Sequence, residues 1–520
     1  MTQDPAGAAA AGHPETAAAA AAILREGGNA YDAVLAGLCA ACVCEPVLAS
    51  LGGGGFLLAR TGQDESRLYD FFVQTPRSRH SESEVDFFPI LADFGTAQQE
   101  FHIGRGSIAT PGIVKGMFQI HRELCTMPMA RIVEPALELA RKGVTINPFQ
   151  AYIFRIVEKI YSRDEVNGIF SSRKIPETLI GEGEILRNPE FADTLEVLAR
   201  EGEDLFYRGD IAKTIIDDCR TGGGHLSPED MENYRVDCRV PLGISFRDTR
   251  LLTNPPPSTG GILIAFALEM ARQSDLVSVN FGSVEYLVRL AKAMELTNKA
   301  RVESRLHETD AASAAEVLLN PSFLEMYRKE VLGRPLAQRG TTHISVIDKK
   351  GNAASMTVSN GEGSSYVVPG TGIMLNNMLG EEDINPHGFQ NWPTDTRMCS
   401  MMAPSVLVWP EGKLAALGSG GSNRIRTAIL QVLLNLLAFE MSAEDAVNSP
   451  RIHVEGDLIN LEDGFEPATS SKVASGFSNV KKWEEKNLFF GGVHAVIRDP
   501  AKKEFTGAGD PRRGGAIVVA

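Results

Sequence analysis

Basic charge is in short supply: 51 Lys plus Arg face 66 Asp plus Glu in 520 residues, a formal net charge of -15. No global positive field exists to hold nucleic acid or an anionic membrane, so a small-molecule partner is expected. Aromatic residues make up 7% of the chain and charged residues 22%, while hydrophobic ones reach 43%, which excludes intrinsic disorder and fits a globular protein. Long apolar runs are missing too. The most apolar one, Ala33 to Cys44, meets Glu45-Pro46 after 12 residues, far short of the roughly 20 that span a bilayer. Seven cysteines, at 39, 42, 44, 125, 219, 238 and 399, form an odd and scattered set, which argues against a disulfide scaffold and for a reducing compartment. The opening carries Asp4 and Glu15 and no Lys or Arg before Arg25, so it lacks the basic start of a secretory signal, and a cytoplasmic location is expected. Ten histidines include no HExxH pair, and no GxGxxG occurs; neither a helix-borne zinc pair nor a dinucleotide loop is expected, and no metal or cofactor is assigned. Cys39, Cys42 and Cys44 do not share a helical face and read as buried core thiols.

Length allows roughly two to four ordinary domains or one large fold. Pro14 to Asn29 reads as a helix, Ala30 to Glu45 as a second and very apolar one ended by Pro46, and GGGGFLLAR and QDESRLYDFFVQTP as two short strands. Helices are expected over Gly112–Cys125, Ala130–Arg141, Phe191–Glu201, Ile211–Cys219, Gly260–Arg272, Val284–Ala300 and Ala314–Arg328. After Gly340 come short strands: THISVID and AASMTVS around KKGN, then SVLVW, LAALGSGG, a helix from Ile425 to Phe439, and strands around HAVIRD and GAIVVA. The order predicts stacked sheets sandwiched by helices, an α+β architecture. Outside the alanine-rich start there is neither a repeat nor a low-complexity linker.

A four-residue loop over Lys349–Asn352 would pair Thr342 with Ser359 and Thr341 with Asn360, so hydroxyl residues meet at the open end of the hairpin. Directly opposed residues have Cβ atoms about 4.5–5.5 Å apart, close enough for one hydroxyl to orient the other. Thr and Ser also simply favour strand positions, and spacing does not choose between Thr341 and Thr342.

Gly340-Thr341-Thr342-His343, the following SVIDKKGNAASMTVS, and PGTGIMLNN resemble the γ-glutamyltransferase (glutathione hydrolase) family. LREGGNAYDAV, LGGGGF, TPGIVKGM, LARKGVTIN, FYRGDIA, NPPPSTGGI, SPRIHVE and GAGDPRRGG extend the resemblance collinearly from about Pro14 to the end. It implies the four-layer αββα sandwich of N-terminal nucleophile hydrolases and a precursor that cuts itself at Gly340-Thr341. Residues 1–340 and 341–520 would then form a large and a small catalytic region of one domain, held as a heterodimer of open oligomeric state. The freed Thr341 would be nucleophile and, through its α-amine, base. Ser359 stands where the family has a second threonine that hydrogen-bonds the nucleophile, and Gly420 and Gly421 in LGSGGSNRIRTAILQ match the oxyanion segment, with a register uncertainty of one residue.

Other positions depart from the family. Phe72 replaces the arginine that follows Asp-Phe and binds the γ-glutamyl α-carboxylate; Arg77 and Arg79 are nearby cations. Ser400 is kept, but Met401 replaces the second serine. Met378 replaces a glutamine. Glu381 replaces the amine-binding aspartate, and Gly361, beside Asn360, replaces an asparagine. His343 reads as structural. Three functions follow as expectations: hydrolysis or transfer of a γ-glutamyl or related amide, an amidase or acylase for a more apolar acyl group, or an uncut and catalytically silent binding protein.

Overall fold

Helix starts are written locally. Asn29 accepts hydrogen bonds from the amides of Tyr31 and Asp32 while Asp32 accepts one from Asn29, a capping box, and Glu45-Pro46 closes the same helix because proline cannot continue it. The computed structural model describes residues 4–93, 98–304, 318–319, 340–385 and 388–520. The helix expected over Ala314–Arg328 lies outside these, apart from Leu318 and Leu319.

Strand β1 (Gly7–Ala11) precedes helices α1 (Pro14–Arg25) and α2 (Ala30–Cys44) and strands β2 (Gly54–Arg60) and β3 (Ser66–Phe71). A mainly helical stretch leads to β4 (Asp237–Arg239), β5 (Leu242–Phe246), β6 (Thr249–Thr253), α3 (Gly260–Gln273) and α4 (Val284–Glu303). Beyond residue 340 follow β7 (Thr342–Asp348), β8 (Ala353–Ser359), β9 (Ser405–Val408), β10 (Leu414–Gly420), α5 (Arg424–Leu437), β11 (Gly492–Asp499), β12 (Glu504–Ala508) and β13 (Ala516–Val519).

Two large antiparallel sheets result, ordered β13-β1-β7-β8-β2-β3-β4 and β12-β11-β10-β9-β6-β5. Their inner strands are buried on both faces, with period-2 alternation deciding which layer each residue joins. Leu57, Ile344, Val346, Met356 and Val358 pack under α1 and α2, whereas Phe56, Leu58, Leu407 and Leu417 share a core with α3 and α5. Ser355 Oγ donates to the Leu417 carbonyl at 2.9 Å and Ser345 Oγ to the His494 carbonyl at 3.1 Å, tying the sheets face to face. The molecule is thus a four-layer αββα sandwich, α+β in class. Both sheets take strands from either side of Gly340.

Two local features differ from the sequence reading. The alanine-rich opening contains a central strand: β1 lies between β7 and β13. Alanine favours helices in isolation, but here Ala9 and Ala11 fit beneath the helical layer and Ala8 and Ala10 fit the core on the other face. The hairpin turn has five residues rather than four, since Ile347 pairs with Ala353 and Thr342 with Val358. Asp348 sets this register. Its carboxylate accepts from the amides of Lys350 (2.9 Å), Asn352 (3.0 Å) and Ala30 (3.1 Å) and from the Asn352 side chain (2.6 Å).

Asp348→Ala strands these donors, of which the Ala30 amide is buried. Hydrogen bonds to a charged acceptor contribute about 1.5–3 kcal/mol each and compensate for one another only partly. Urea unfolding of the variant is expected to show a loss of about 2–4 kcal/mol; an unchanged midpoint would contradict this role.

Candidate active site

The five-residue turn places Thr341 opposite Ser359 when the β7–β8 register is continued by one step. This corrects the pairing of Thr341 with Asn360 and of Thr342 with Ser359. Ser359 Oγ donates to the Gly340 carbonyl oxygen at 2.6 Å and accepts from the Gly361 amide at 3.0 Å. The Gly340 amide donates to Glu362 Oε1 at 2.9 Å, and Arg513 Nη1 donates to the Thr341 carbonyl at 3.3 Å. Thr341, Ser359, Glu362 and Arg513 are all buried. Gly340 is required by space: a Cβ there would overlap the Gly361 carbonyl oxygen.

Beside Thr341 lies a cavity of about 30 Å³ lined by Phe72, Ser359, Met378, Glu381, Asp383, Ile384, Ser400, Met401, Met402, Ser422 and Ile425. Among the described residues its charged lining side chains are Glu381 and Asp383. Of the residues singled out in the sequence, Thr341, Ser359, Phe72, Met378, Glu381, Ser400 and Met401 converge here. Gly420 sits against the Thr341 carbonyl so closely that a Cβ would overlap it. Gly421 (φ 120°) and Ser422 (φ 53°) then make a left-handed turn into α5, and Ser422, not Gly420 or Gly421, is the residue of this turn that lines the cavity. Asn360 does not line it; its side-chain amide reaches the Leu375 carbonyl at 3.5 Å. A Cβ on Gly361 (φ 64°) would overlap Asn377 Oδ1 and Glu381 Oε1, so an asparagine there would have to displace those two side chains.

Neither nearby arginine enters the cavity. Arg77 pairs with Asp395 at 3.1 Å, both well exposed, and Arg79 donates to the Gln390 carbonyl with its guanidinium over Trp392. Phe72 stacks on Phe56 with centroids 5.5 Å apart. Beneath it the buried Arg397 donates to the Phe72 carbonyl and Tyr234 hydroxyl and faces Asp70 at 3.6 Å.

Sequence reasoning missed Glu45, Glu362, Arg397 and Arg513, because each acts through a partner far away in the chain or through a turn whose shape is not local. Arg513 was nonetheless inside GAGDPRRGG. A buried ionic cluster braces it: Arg512 holds Glu462 through two bonds of 2.7 and 2.6 Å, and Arg451 pairs with Asp510 at 2.7 Å. His343 is neutral in this fold, its pKa lowered by burial, and hydrogen-bonds Thr357 and Ser345. The Cys39, Cys42 and Cys44 thiols are buried in α2, and burial pushes Cys39 up to about 12. Among the described residues no group of His, Cys, Asp or Glu is placed to hold a metal ion, and no helix is long and apolar enough to cross a membrane.

Glu45 lies under Thr342, the neighbour of Thr341. It accepts from Thr342 Oγ1 at 2.6 Å and Thr16 Oγ1 at 3.0 Å, and burial pushes its carboxyl up to about 7. A carboxyl whose pKa is raised by folding favours the fold below its unfolded value, and that contribution disappears as pH rises through the folded value. In Glu45→Gln the melting temperature should therefore fall less between pH 5 and pH 8 than in the parent protein. Equal falls in scanning fluorimetry would exclude Glu45 as a source of the pH dependence.

The family model described as Gamma-glutamyltranspeptidase matches residues 16–520. The chain is 29% identical to the acylase ACY 1 proenzyme of Pseudomonas sp. (strain V22), over 98% of this chain and 92% of that one. It is also 29% identical to the glutathione hydrolase proenzyme of Escherichia coli (strain K12), covering 94% and 87%. Among solved structures, the fold superposes on the cephalosporin acylase from Bacillus halodurans with a TM-score of 0.82 at 24% identity, covering 99% and 96%. With the family model spanning nearly the whole chain, this protein belongs to the gamma-glutamyltranspeptidase family.

Proposed function

We propose that this protein is a self-processing N-terminal threonine amidase whose acyl donor lacks a carboxylate. The observation that carries the reading is the cavity beside Thr341, where Glu381 and Asp383 supply carboxyl groups and, among the described residues, no Lys, Arg or His lines the wall. A substrate carboxylate there would be desolvated beside Phe72, Met378 and Met401 without a cation, a cost of several kcal/mol. A substrate amine beside Glu381 is favoured by the same carboxyl groups. The two proenzyme relatives, an acylase and a glutathione hydrolase, support amide chemistry of this general kind.

Self-cleavage starts when the Thr341 hydroxyl attacks the Gly340 carbonyl carbon. Ser359 Oγ–H already donates to the carbonyl oxygen that gains charge. Collapse breaks the C–N bond, the Thr341 nitrogen takes up a proton, and an ester remains on Thr341 Oγ. Water hydrolyses that ester, leaving the Gly340 carboxylate and a free Thr341. The small cavity of the uncut chain has space for about one water and none for an acyl group. After cleavage the α-amine, with an ordinary pKa of about 7.7–8.0, takes the hydroxyl proton as Oγ attacks the substrate amide. Amide donors of the turn at Gly420 and Gly421, ending in Ser422, receive the oxyanion; the amine leaves, and water or a second amine takes the acyl group. Residues 1–340 and 341–520 stay together because both sheets mix strands of the two regions. Seven free thiols suit the reducing compartment proposed from the sequence.

Intact-mass spectrometry should find two fragments, the smaller beginning Thr341-Thr342-His343, while Thr341→Ala stays whole. An uncut parent chain would favour the silent binding protein instead. For the processed enzyme, three anilides separate the recognition elements: 4-aminobutanoyl with only the amine, γ-glutamyl with amine and carboxylate, and glutaryl with only the carboxylate. The expected order of kcat/KM is 4-aminobutanoyl first, by about tenfold or more over γ-glutamyl, with glutaryl last. Preference for the γ-glutamyl compound would restore γ-glutamyl hydrolysis or transfer as the function.

A further inference from the structure

We infer that Glu362 is a positioning residue for self-cleavage, holding the scissile residue from the side opposite Ser359; the inference rests on the proposed self-processing. Gly340 is the residue whose carbonyl must be attacked, and as a glycine it has wide backbone freedom. Two hydrogen bonds remove that freedom. Its amide donates to Glu362 Oε1 at 2.9 Å and its carbonyl accepts from Ser359 Oγ at 2.6 Å, one on each side of the same Cα. The peptide planes that carry these groups are rigid, so fixing both planes fixes the two torsions between them and with them the face that the carbonyl presents to Thr341.

Both clamping side chains come from one short segment. Ser359 ends β8 and accepts from the Gly361 amide at 3.0 Å; Gly361 takes a φ of 64°; and the Gly363 amide closes back on the Asn360 carbonyl at 3.2 Å. The Glu362 amide donates to Asn377 Oδ1 at 3.0 Å, and Asn377 Nδ2 donates to the His102 carbonyl at 3.3 Å. The turn is thus anchored at its far end, and Glu362 is presented to Gly340 by strand end, left-handed glycine and Asn377 together. Glu362 is only 2% exposed, so without it the Gly340 amide would face a site with little water to replace the lost acceptor. Nothing in the amidase step of the processed enzyme requires this contact, because cleavage frees Gly340 from Thr341.

The experiment follows appearance of the 341–520 fragment after cell-free synthesis of the full chain, for the parent, Thr341→Ala, Glu362→Ala and Glu362→Gln. A misplacement of about 1 Å in a reacting pair costs on the order of a hundredfold. Glu362→Ala should therefore cut about a hundredfold more slowly than the parent, and Glu362→Gln, whose side-chain carbonyl can still accept from the Gly340 amide, should stay within about tenfold of it. Rescue by glutamine is the readout that a general folding role would not produce. Glu362→Ala, which leaves one buried amide without its acceptor, should still unfold cooperatively and melt only slightly below Thr341→Ala. Because a lower melting point alone does not separate positioning from folding, the glutamine variant decides. Cleavage of Glu362→Ala at the parent rate, or equal slowing in the alanine and glutamine variants, overturns the inference while self-processing stands; a parent chain that never cuts overturns both.

Discussion

The pairing of β7 between β1 and β8 is the constraint on which the rest of the molecule depends. β7 begins at Thr342 and sits inside a seven-stranded sheet, hydrogen-bonded on both sides. The Gly340-Thr341 peptide therefore enters the sheet at a depth and angle decided by the pairing of β7 with both neighbours, not by its own flexible glycine. Because strand side chains alternate with a period of two, a slip of one residue would move every side chain of β7 to the opposite face. His343 would leave its seat against Gly418, where a Cβ would clash with the imidazole, and Ile344 would leave the layer under α2. The Asp348 turn protects against that slip by spending a buried carboxylate on the loop.

From this frame the chemistry is arranged on either side of one residue. Ser359 follows from the strand register, Glu362 from the turn after it, and Gly420 from the facing sheet, where absence of a side chain lets β10 approach the Thr341 carbonyl. Arg513 reaches the same carbonyl from the C-terminal segment, held by the buried Arg512, Glu462, Asp510 and Arg451 cluster. Removing one partner of such a cluster strands the other charge in the interior, which is far costlier than the intact network.

The character of the cavity comes from where positive charge is placed. Arg397 is close in space to the wall but spends its guanidinium on backbone and on Asp70 and Asp237, supporting Phe72 from below. Stacked on Phe56, the Phe72 ring lines the cavity with a phenyl face in place of a cation. Acidic side chains at Glu381 and Asp383 and methionines at 378, 401 and 402 complete the wall.

Much of this was legible in the chain. The apolar run of α2, its terminating Glu45-Pro46, the hairpin after Gly340 and the Thr341, Ser359 and Phe72 positions follow from local periodicity, turn chemistry and motif resemblance, because each is expressed within a few consecutive residues. Alanines at positions 8 to 11 carried no such signal: in isolation they favour a helix, and only neighbours on both sides make them a strand. The hairpin register came out one residue off because the deciding acceptor, Asp348, binds not just its own loop but also the Ala30 amide, 318 positions away. Glu362 at Gly340, Glu45 at Thr342, Arg513 at Thr341 and Arg397 under Phe72 belong to the same class. Residue types set which chemistry was available, while long-range burial and hydrogen bonding decided which groups face the Gly340-Thr341 bond, since those contacts exist only once both sheets have closed on each other.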